Sequence, residues 1–156
     1  MRLRVLAVGS KMPEWVEQGV ADYTRRMPRE FSVEWLDVSL AKRGTGSADS
    51  YRRQEAESIQ SKLNHDEDLI VLDVQGMEIS TEKIADRFAE WQMEGRRVCV
   101  VIGGPDGLHQ SVLSRAVEQW SFGRITLPHT LVRVILAEQL YRAWSLQSGH
   151  PYHRAN

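Results

Sequence analysis

Apolar and polar residues alternate along this chain in two rhythms, one typical of strands and the other typical of helices. Short apolar runs rich in valine, leucine and isoleucine have the length and composition of buried strands. These runs predict strands at 2–8, 31–38, 68–74, 96–104 and 121–127. Between the runs, apolar residues recur every three or four positions, as they do on one face of a helix. This spacing predicts helices at 13–27, 51–63, 80–95, 109–119 and 130–147.

The regular alternation of strands and helices predicts the fold class. It is typical of a three-layer α/β/α domain with a mostly parallel sheet, and we expect residues 1–156 to form one such domain. Ligands of such domains bind beyond the carboxyl ends of the strands. Three segments in or just after predicted strands are LDVQG (72–76), IGGPDG (102–107) and LPHT (127–130). We therefore expect a ligand site where these segments meet.

The charge balance narrows the function classes. The chain has 20 Lys and Arg against 21 Asp and Glu. This balance disfavours a protein that coats nucleic acid nonspecifically, because phosphate binding needs an excess of cations. The segment 121–156 nevertheless carries a net charge of +3 when its histidines are neutral, which leaves room for a local basic surface.

The single cysteine and the absence of long apolar stretches indicate the cellular compartment in which we expect the protein. Cys99 has no second cysteine to pair with, which excludes an internal disulfide and a cysteine-based zinc site. The first residues lack the pattern of a cleaved signal peptide, and no stretch is apolar enough to span a bilayer. We expect a cytoplasmic protein without a membrane partner.

The glycine-rich segment 102–107 is the first candidate for chemistry. Gly103 and Gly104 would let a ligand approach the backbone closely. The segment is neither GxGxxG nor a phosphate-gripping loop with GK[ST], which disfavours a nucleotide-binding enzyme. It fits a loop that contacts an uncharged or cationic group, and the alternative is an ordinary strand-to-helix turn.

Two further segments suggest contacts with a polyanion or with a second subunit. Lys42 and Arg43 lie in the polar loop 41–50, where they could contact phosphates, although a solvated loop has the same composition. The helix 131–144 is apolar on most of its circumference, so we expect it to be buried on more than one face, in a subunit interface as well as in the core. The alternative is the central helix of a monomer, with Arg133 at its end or rim.

The chain closes on SGHPYHRAN (148–156), an unusual composition for a terminus. His150 and His153 have no evident third partner for a metal, so we expect no metal site. Tyr152 could stack on a base while arginines hold phosphates or an anionic base edge. A solvated tail is the alternative.

Several of these segments together resemble one protein family over nearly the whole chain. They are AVGSKMPEWV (7–16), AKRG (41–44), IGGPDGL (102–108), LPHTLVRVILAEQLYRAW (127–144) and HPYHR (150–154). This set resembles the SPOUT-class RNA methyltransferases, and most strongly those bacterial members that methylate N3 of a pseudouridine in large-subunit (23S) ribosomal RNA. One departure is Thr130, where we would expect proline; threonine can still cap a helix start. Ala155 and Asn156 extend beyond the motif, and we expect them to be disordered.

The resemblance implies a fold, an assembly and a cofactor. The fold would include a C-terminal trefoil knot, the protein would be a homodimer through its last helix, and it would act on assembled ribosomes. The cofactor would be S-adenosylmethionine. The resemblance assigns it to Leu72, Asp73, Gly103, Gly104, Gly123, Arg124, Ile125, Thr126, Leu127 and Pro128.

The resemblance also suggests roles in catalysis and RNA binding. The base that removes the acceptor proton would be His129 or His153, since histidine titrates near neutral pH, and direct loss of the proton to solvent stays open. Arg142 would stabilise negative charge on the base. With Arg154 and Tyr152, His153 would reach the nucleotide across the dimer interface. The remaining RNA contacts would come from Lys42 and Arg43. A non-catalytic ribosome-binding protein is the alternative from another class.

Overall fold

A computed structural model describes residues 1–154, so the disorder expected of Ala155 and Asn156 concerns residues outside the described part. The strands are β1 (Arg2–Val8), β2 (Ser32–Val38), β3 (Glu67–Glu78), β4 (Arg97–Ile102) and β5 (Glu118–Ser121). The helices are α1 (Glu14–Thr24), α2 (Ala48–Lys62), α3 (Thr81–Glu94), α4 (Gln110–Leu113) and α5 (His129–Ser148).

The strands form one parallel sheet in the order β2-β1-β4-β3-β5. In β1, Leu3 and Val5 pack in the core on one face while Leu6 and Val8 pack in the core on the other. Because both faces are covered, β4 is a continuous apolar run, as parallel sheets require. The predicted three-layer α/β architecture is confirmed.

The helices divide into two layers that cover the two faces. On one side, α3 and α5 pack their apolar residues on the sheet and α1 packs against α5. An aromatic stack lies within this layer, with the rings of Trp91 and Trp120 6.1 Å apart. On the other side, α2 and α4 contribute Ala56, Ile59 and Val112 to a second core. The long α5 thereby lies on one face of the sheet, with its first residues near the carboxyl ends of the strands.

The segment between β4 and α5 differs from the sequence prediction. The predicted helix 109–119 is limited to α4, and the predicted strand 121–127 lies earlier, as β5. The reason is tertiary: Trp120 is fully buried only if its strand pairs with β3. The chain leaves the sheet at Gly123, whose φ of +119° favours glycine.

A bulge interrupts the pairing of β3 with β5. Leu72 and Met77 both pair with Trp120, so the residues between them leave the ladder with β5 as a long bulge within β3. Gly76 makes this possible, because a Cβ there would lie 2.7 Å from the backbone of Gln119. The bulge places residues 73–74 beside the ends of the neighbouring strands.

The helix ends agree in part with the sequence prediction. Ser80 caps α3 by accepting a hydrogen bond from the backbone N–H of Lys83, 3.1 Å away. The capping role suggested for Thr130 is wrong: α5 begins at His129 after Pro128, without a side-chain cap. Proline before the first turn presets the backbone, so the helix starts one residue earlier.

Candidate active site

A cavity of about 830 Å³ opens at the carboxyl ends of β3, β4 and β5. The bulge of β3, the glycine-rich segment 102–107 and the loop after β5 form its walls, so the three segments expected to meet do meet. Its volume lies within the roughly 300–1,000 Å³ typical of small-molecule sites. This edge of the sheet is where parallel α/β domains bind their ligands.

All but one of the residues assigned to the cofactor by resemblance line this cavity. They are Leu72, Asp73, Gly103, Gly104, Gly123, Ile125, Thr126, Leu127 and Pro128. Arg124 is the exception, because its side chain is exposed outside the lining. Sequence reasoning did not single out Arg52, which also lines the cavity from α2.

The glycine-rich wall is packed closely against its neighbours. A Cβ at Gly104 would lie 3.0 Å from Val8 Cγ1 and 3.5 Å from Glu55 Oε1, so a side chain there would force the turn outwards. The backbone of the turn is therefore presented directly to the cavity. Apolar side chains such as Ile102 and Val132 line the remainder, while the carboxylate of Asp73 supplies an acceptor. This combination suits an uncharged ring and polar groups better than a pyrophosphate.

His129, the first residue of α5, lines the cavity beside the buried Arg133. Burial lowers the pKa of His129, and the charge of Arg133 lowers it further. The imidazole is therefore neutral at pH 7 and can accept a proton.

Arg133 holds this end of α5 to the sheet. Its guanidinium donates to the backbone oxygen of Gly9 at 2.9 Å and of Val8 at 3.3 Å, and to Asp37 Oδ1 at 2.9 Å. Only 5% of the residue is exposed. From the sequence, Arg133 was placed at the helix end or rim only in the alternative of a monomer's central helix. The signal that could have indicated its burial was a cation one turn after His129 in an apolar helix.

The C-terminal tail packs on the far end of α5 in its own chain. Tyr152 stands edge-on to Tyr141, with ring centroids 4.6 Å apart, and its hydroxyl donates to Glu138 Oε1 at 3.1 Å. The guanidinium of Arg142 lies 4.8 Å above the Tyr152 ring and 3.2 Å from His153 Nδ1. The tail is thus held by its own chain, whereas from the sequence we expected a partner subunit or RNA to order it.

The polar side chains of the tail and of the adjoining part of α5 differ in charge and in hydrogen bonding. Burial and the Glu138 carboxylate raise the pKa of Tyr152 to about 12, so its phenol stays protonated. Arg142 pairs with Glu138 at 2.6 Å. Nε2 of His153 is buried, has no hydrogen-bond partner within residues 1–154, and lies 3.7 Å from Glu82 Oε1.

Comparisons with known proteins agree with this geometry. A family described as "Predicted SPOUT methyltransferase" matches residues 1–153. The chain belongs to the SPOUT methyltransferase family. A relative from Chromohalobacter salexigens, named ribosomal RNA large subunit methyltransferase H, is 50% identical over 99% of this chain and 100% of its own length. Relatives with the same name from Teredinibacter turnerae and Pseudomonas fluorescens are 48% and 46% identical over the same shares.

In this SPOUT methyltransferase, one chain does not bring all the candidate catalytic residues together. His129 lies at the cavity, whereas Arg142 and His153 lie at the other end of α5. A rise of about 1.5 Å per residue separates His129 from Arg142 by about 20 Å along the helix. Arg154 is exposed beside this second group.

The two basic residues assigned to RNA differ in their surroundings. Lys42 is exposed. Arg43 is paired with Glu55 and with Asp106, a residue of the cavity wall. This pairing gives Arg43 a partner within the protein that the sequence did not indicate.

Residues 1–154 contain neither a candidate membrane span nor a candidate metal cluster. No helix in this range has both the length and the apolar character needed to cross a membrane. The same range contains no group of three or more His, Cys, Asp or Glu side chains positioned to hold a metal ion.

Proposed function

We propose that this protein transfers a methyl group from S-adenosylmethionine to N3 of a pseudouridine in large-subunit ribosomal RNA, acting on assembled ribosomes in the cytoplasm. The observation that carries the proposal is the cavity in which the segments after β3, β4 and β5 converge. The name shared by relatives 46–50% identical over their full length supports the RNA substrate.

The cavity residues fit this cofactor. When bound, S-adenosylmethionine supplies an electrophilic methyl group on a positively charged sulfur. The Asp73 carboxylate can accept hydrogen bonds from hydroxyl or amino groups, and the turn at Gly103 and Gly104 exposes backbone groups to an adenine edge. The apolar side chains of Ile102 and Leu127 exclude water from the rest of the site.

The acceptor nitrogen must lose a proton, and the chain offers two histidines for that step. His129 is neutral beside the cavity, and His153 has a buried Nε2 in the tail without a hydrogen-bond partner within residues 1–154. Arg142 carries a positive charge next to His153, where it would stabilise negative charge as it develops on the base. Solvent is the third acceptor for the proton.

We also propose that the active unit is a homodimer. A single chain keeps the cavity and the tail at opposite ends of α5, so the two can act on one nucleotide only if a second copy supplies one of them. Half-buried residues, including Leu131 and Ile135, run along α5 and leave apolar surface for such a contact. The trefoil knot implied by the family resemblance stays a prediction.

Methyl transfer to isolated ribosomes tests the proposal. With cofactor labelled in its methyl group, we expect label in intact ribosomes and little in naked RNA, and nucleoside mapping should yield 3-methylpseudouridine. His153→Ala and Arg154→Ala should both reduce the rate. Label absent from ribosomes, subunits and RNA alike would refute the activity and leave the ribosome-docking alternative.

A further inference from the structure

Arg43 links the polar loop before α2 to the wall of the cavity. One guanidinium nitrogen, Nη1, donates to Glu55 Oε2 at 2.7 Å and to the backbone oxygen of Ala41 at 2.7 Å. The other, Nη2, pairs with the carboxylate of Asp106 in the glycine-rich segment. One side chain therefore bridges α2 and the cavity wall.

Glu55 is the anchor of this bridge. It is only 2% exposed, and its Oε2 also accepts the backbone N–H of Ala41 at 3.0 Å. A carboxylate buried to this extent needs a cation beside it, and Arg43 provides one. Its other oxygen, Oε1, lies behind Gly104, 3.5 Å from where a Cβ would stand. The ion pair thus lies directly against the turn that forms the wall.

Tyr51 keeps Arg43 in the bridging orientation. The guanidinium carbon of Arg43 lies 4.8 Å from the centre of the Tyr51 ring, an arrangement that attracts the cation. The Tyr51 hydroxyl accepts from the N–H of Gly44 at 2.8 Å and donates to its carbonyl oxygen at 2.9 Å. On the other side, Arg52 donates to the backbone oxygen of Asp106 at 3.1 Å. Two arginines, Arg43 and Arg52, therefore contact Asp106 in the cavity wall.

We infer that Arg43 is a positioning residue that fixes the glycine-rich segment 103–107 in the shape that binds the cofactor, and that it does not bind RNA. The inference depends on the proposed use of S-adenosylmethionine. Without Arg43, the segment occupies its binding shape for a smaller fraction of the time. The apparent affinity for the cofactor is proportional to that fraction, so it falls as well. An RNA contact would instead change ribosome binding and leave cofactor affinity intact.

The first test compares Arg43→Met with Arg53→Met, an exposed arginine of α2 that pairs only with Asp49 among residues 1–154. Calorimetric titration of the full-length protein with S-adenosylmethionine should show binding about tenfold weaker for Arg43→Met and unchanged for Arg53→Met. In ribosome assays, Arg43→Met should raise KM for the cofactor more than it lowers kcat. Unchanged cofactor affinity with weaker ribosome binding would overturn the inference.

A double-mutant cycle tests the route through Asp106. Asp106→Ala removes only one arm of the bridge, at a partly exposed site. By itself it should also weaken cofactor binding, which keeps the test available if Arg43→Met fails to fold. If Arg43 acts through Asp106, the double variant should bind the cofactor as weakly as Arg43→Met alone. If the losses of cofactor-binding free energy from the two single substitutions add fully in the double variant, the inference is overturned.

Amide hydrogen exchange separates this inference from the proposed function. In the protein without cofactor, residues 103–107 should exchange faster in Arg43→Met than in the wild type or Arg53→Met. No heat with S-adenosylmethionine in the wild type would refute the proposed function, whereas unchanged exchange at 103–107 would refute the role of Arg43 independently.

Discussion

His129 and Arg133 lie one turn apart at the start of α5, and the charge of Arg133 affects the protonation of His129. The Nη1 and Nη2 atoms of Arg133 donate to Asp37 and to backbone oxygens, so its charge stays fixed next to the imidazole. That charge and burial both disfavour protonation of His129. A histidine held neutral can act as a base in conditions where an exposed one would already be partly protonated.

A pH profile tests His129 as the base of the proposed reaction. Because the pKa of His129 is lowered, its imidazole would be a competent base above that pKa and would lose that role as pH falls into the range below 6.5. We expect kcat at saturating ribosomes to be level near neutrality and to fall only below that pH. His129→Gln should lower kcat about 100-fold and abolish this acidic limb. The same limb in the variant would assign the base elsewhere.

At the scale of the elements, local pattern predicted β1, β2 and β4 well and the edge of the sheet at β5 poorly. β1 and β4 are continuous apolar runs, and their positions agree with the sequence prediction within two residues. The segment of α4 and β5 was misassigned because burial of Trp120 depends on pairing with β3, which is distant in sequence. The bulge before Met77 depends on the same pairing, so the local sequence LDVQG could not predict it.

Gly76 gives this bulge a direct test. Gly76→Ala places a methyl group 2.7 Å from the backbone of Gln119, which cannot rotate away. We expect a loss of about 1–3 kcal/mol in the free energy of unfolding, measured by urea denaturation. Gly44→Ala is the control, since a Cβ there meets nothing within 4 Å, and its cost should stay within about 0.5 kcal/mol. Equal stabilities would contradict the close approach.

At the scale of the whole molecule, α5 joins two candidate functional regions that it also keeps apart. Both were proposed from sequence motifs, because their residue types are distinctive. The predicted helix 130–147 agrees with α5 within one residue at each end, so the separation of about 20 Å along this helix could be predicted as well. In a dimer, the cavity and the tail that act on one nucleotide could come from the same copy or from different copies. The sequence pattern of a single chain carries no signal that distinguishes these arrangements.

Mixing two inactive variants tests this arrangement. Thr126→Trp places an indole at an exposed position of the cavity lining and should block the cofactor, while Arg154→Ala removes a cation of the tail. If the site is shared, co-expressed variants should form mixed dimers with one intact cavity facing one intact tail. We expect activity of up to about half the wild type in purified mixed dimers. Mixed dimers as inactive as either parent would place both regions in the same subunit's site.

The reach of Arg133 has a consequence for the making of the protein. Its donors meet the backbone oxygens of Ala7, Val8 and Gly9, which are 126, 125 and 124 positions earlier in the chain. During translation these oxygens cannot gain this donor until Arg133 itself has been added, and contacts so distant in sequence form slowly. A nascent polypeptide that stalls before this arginine lacks these hydrogen bonds, and we expect proteases to cleave it faster than one that includes Arg133.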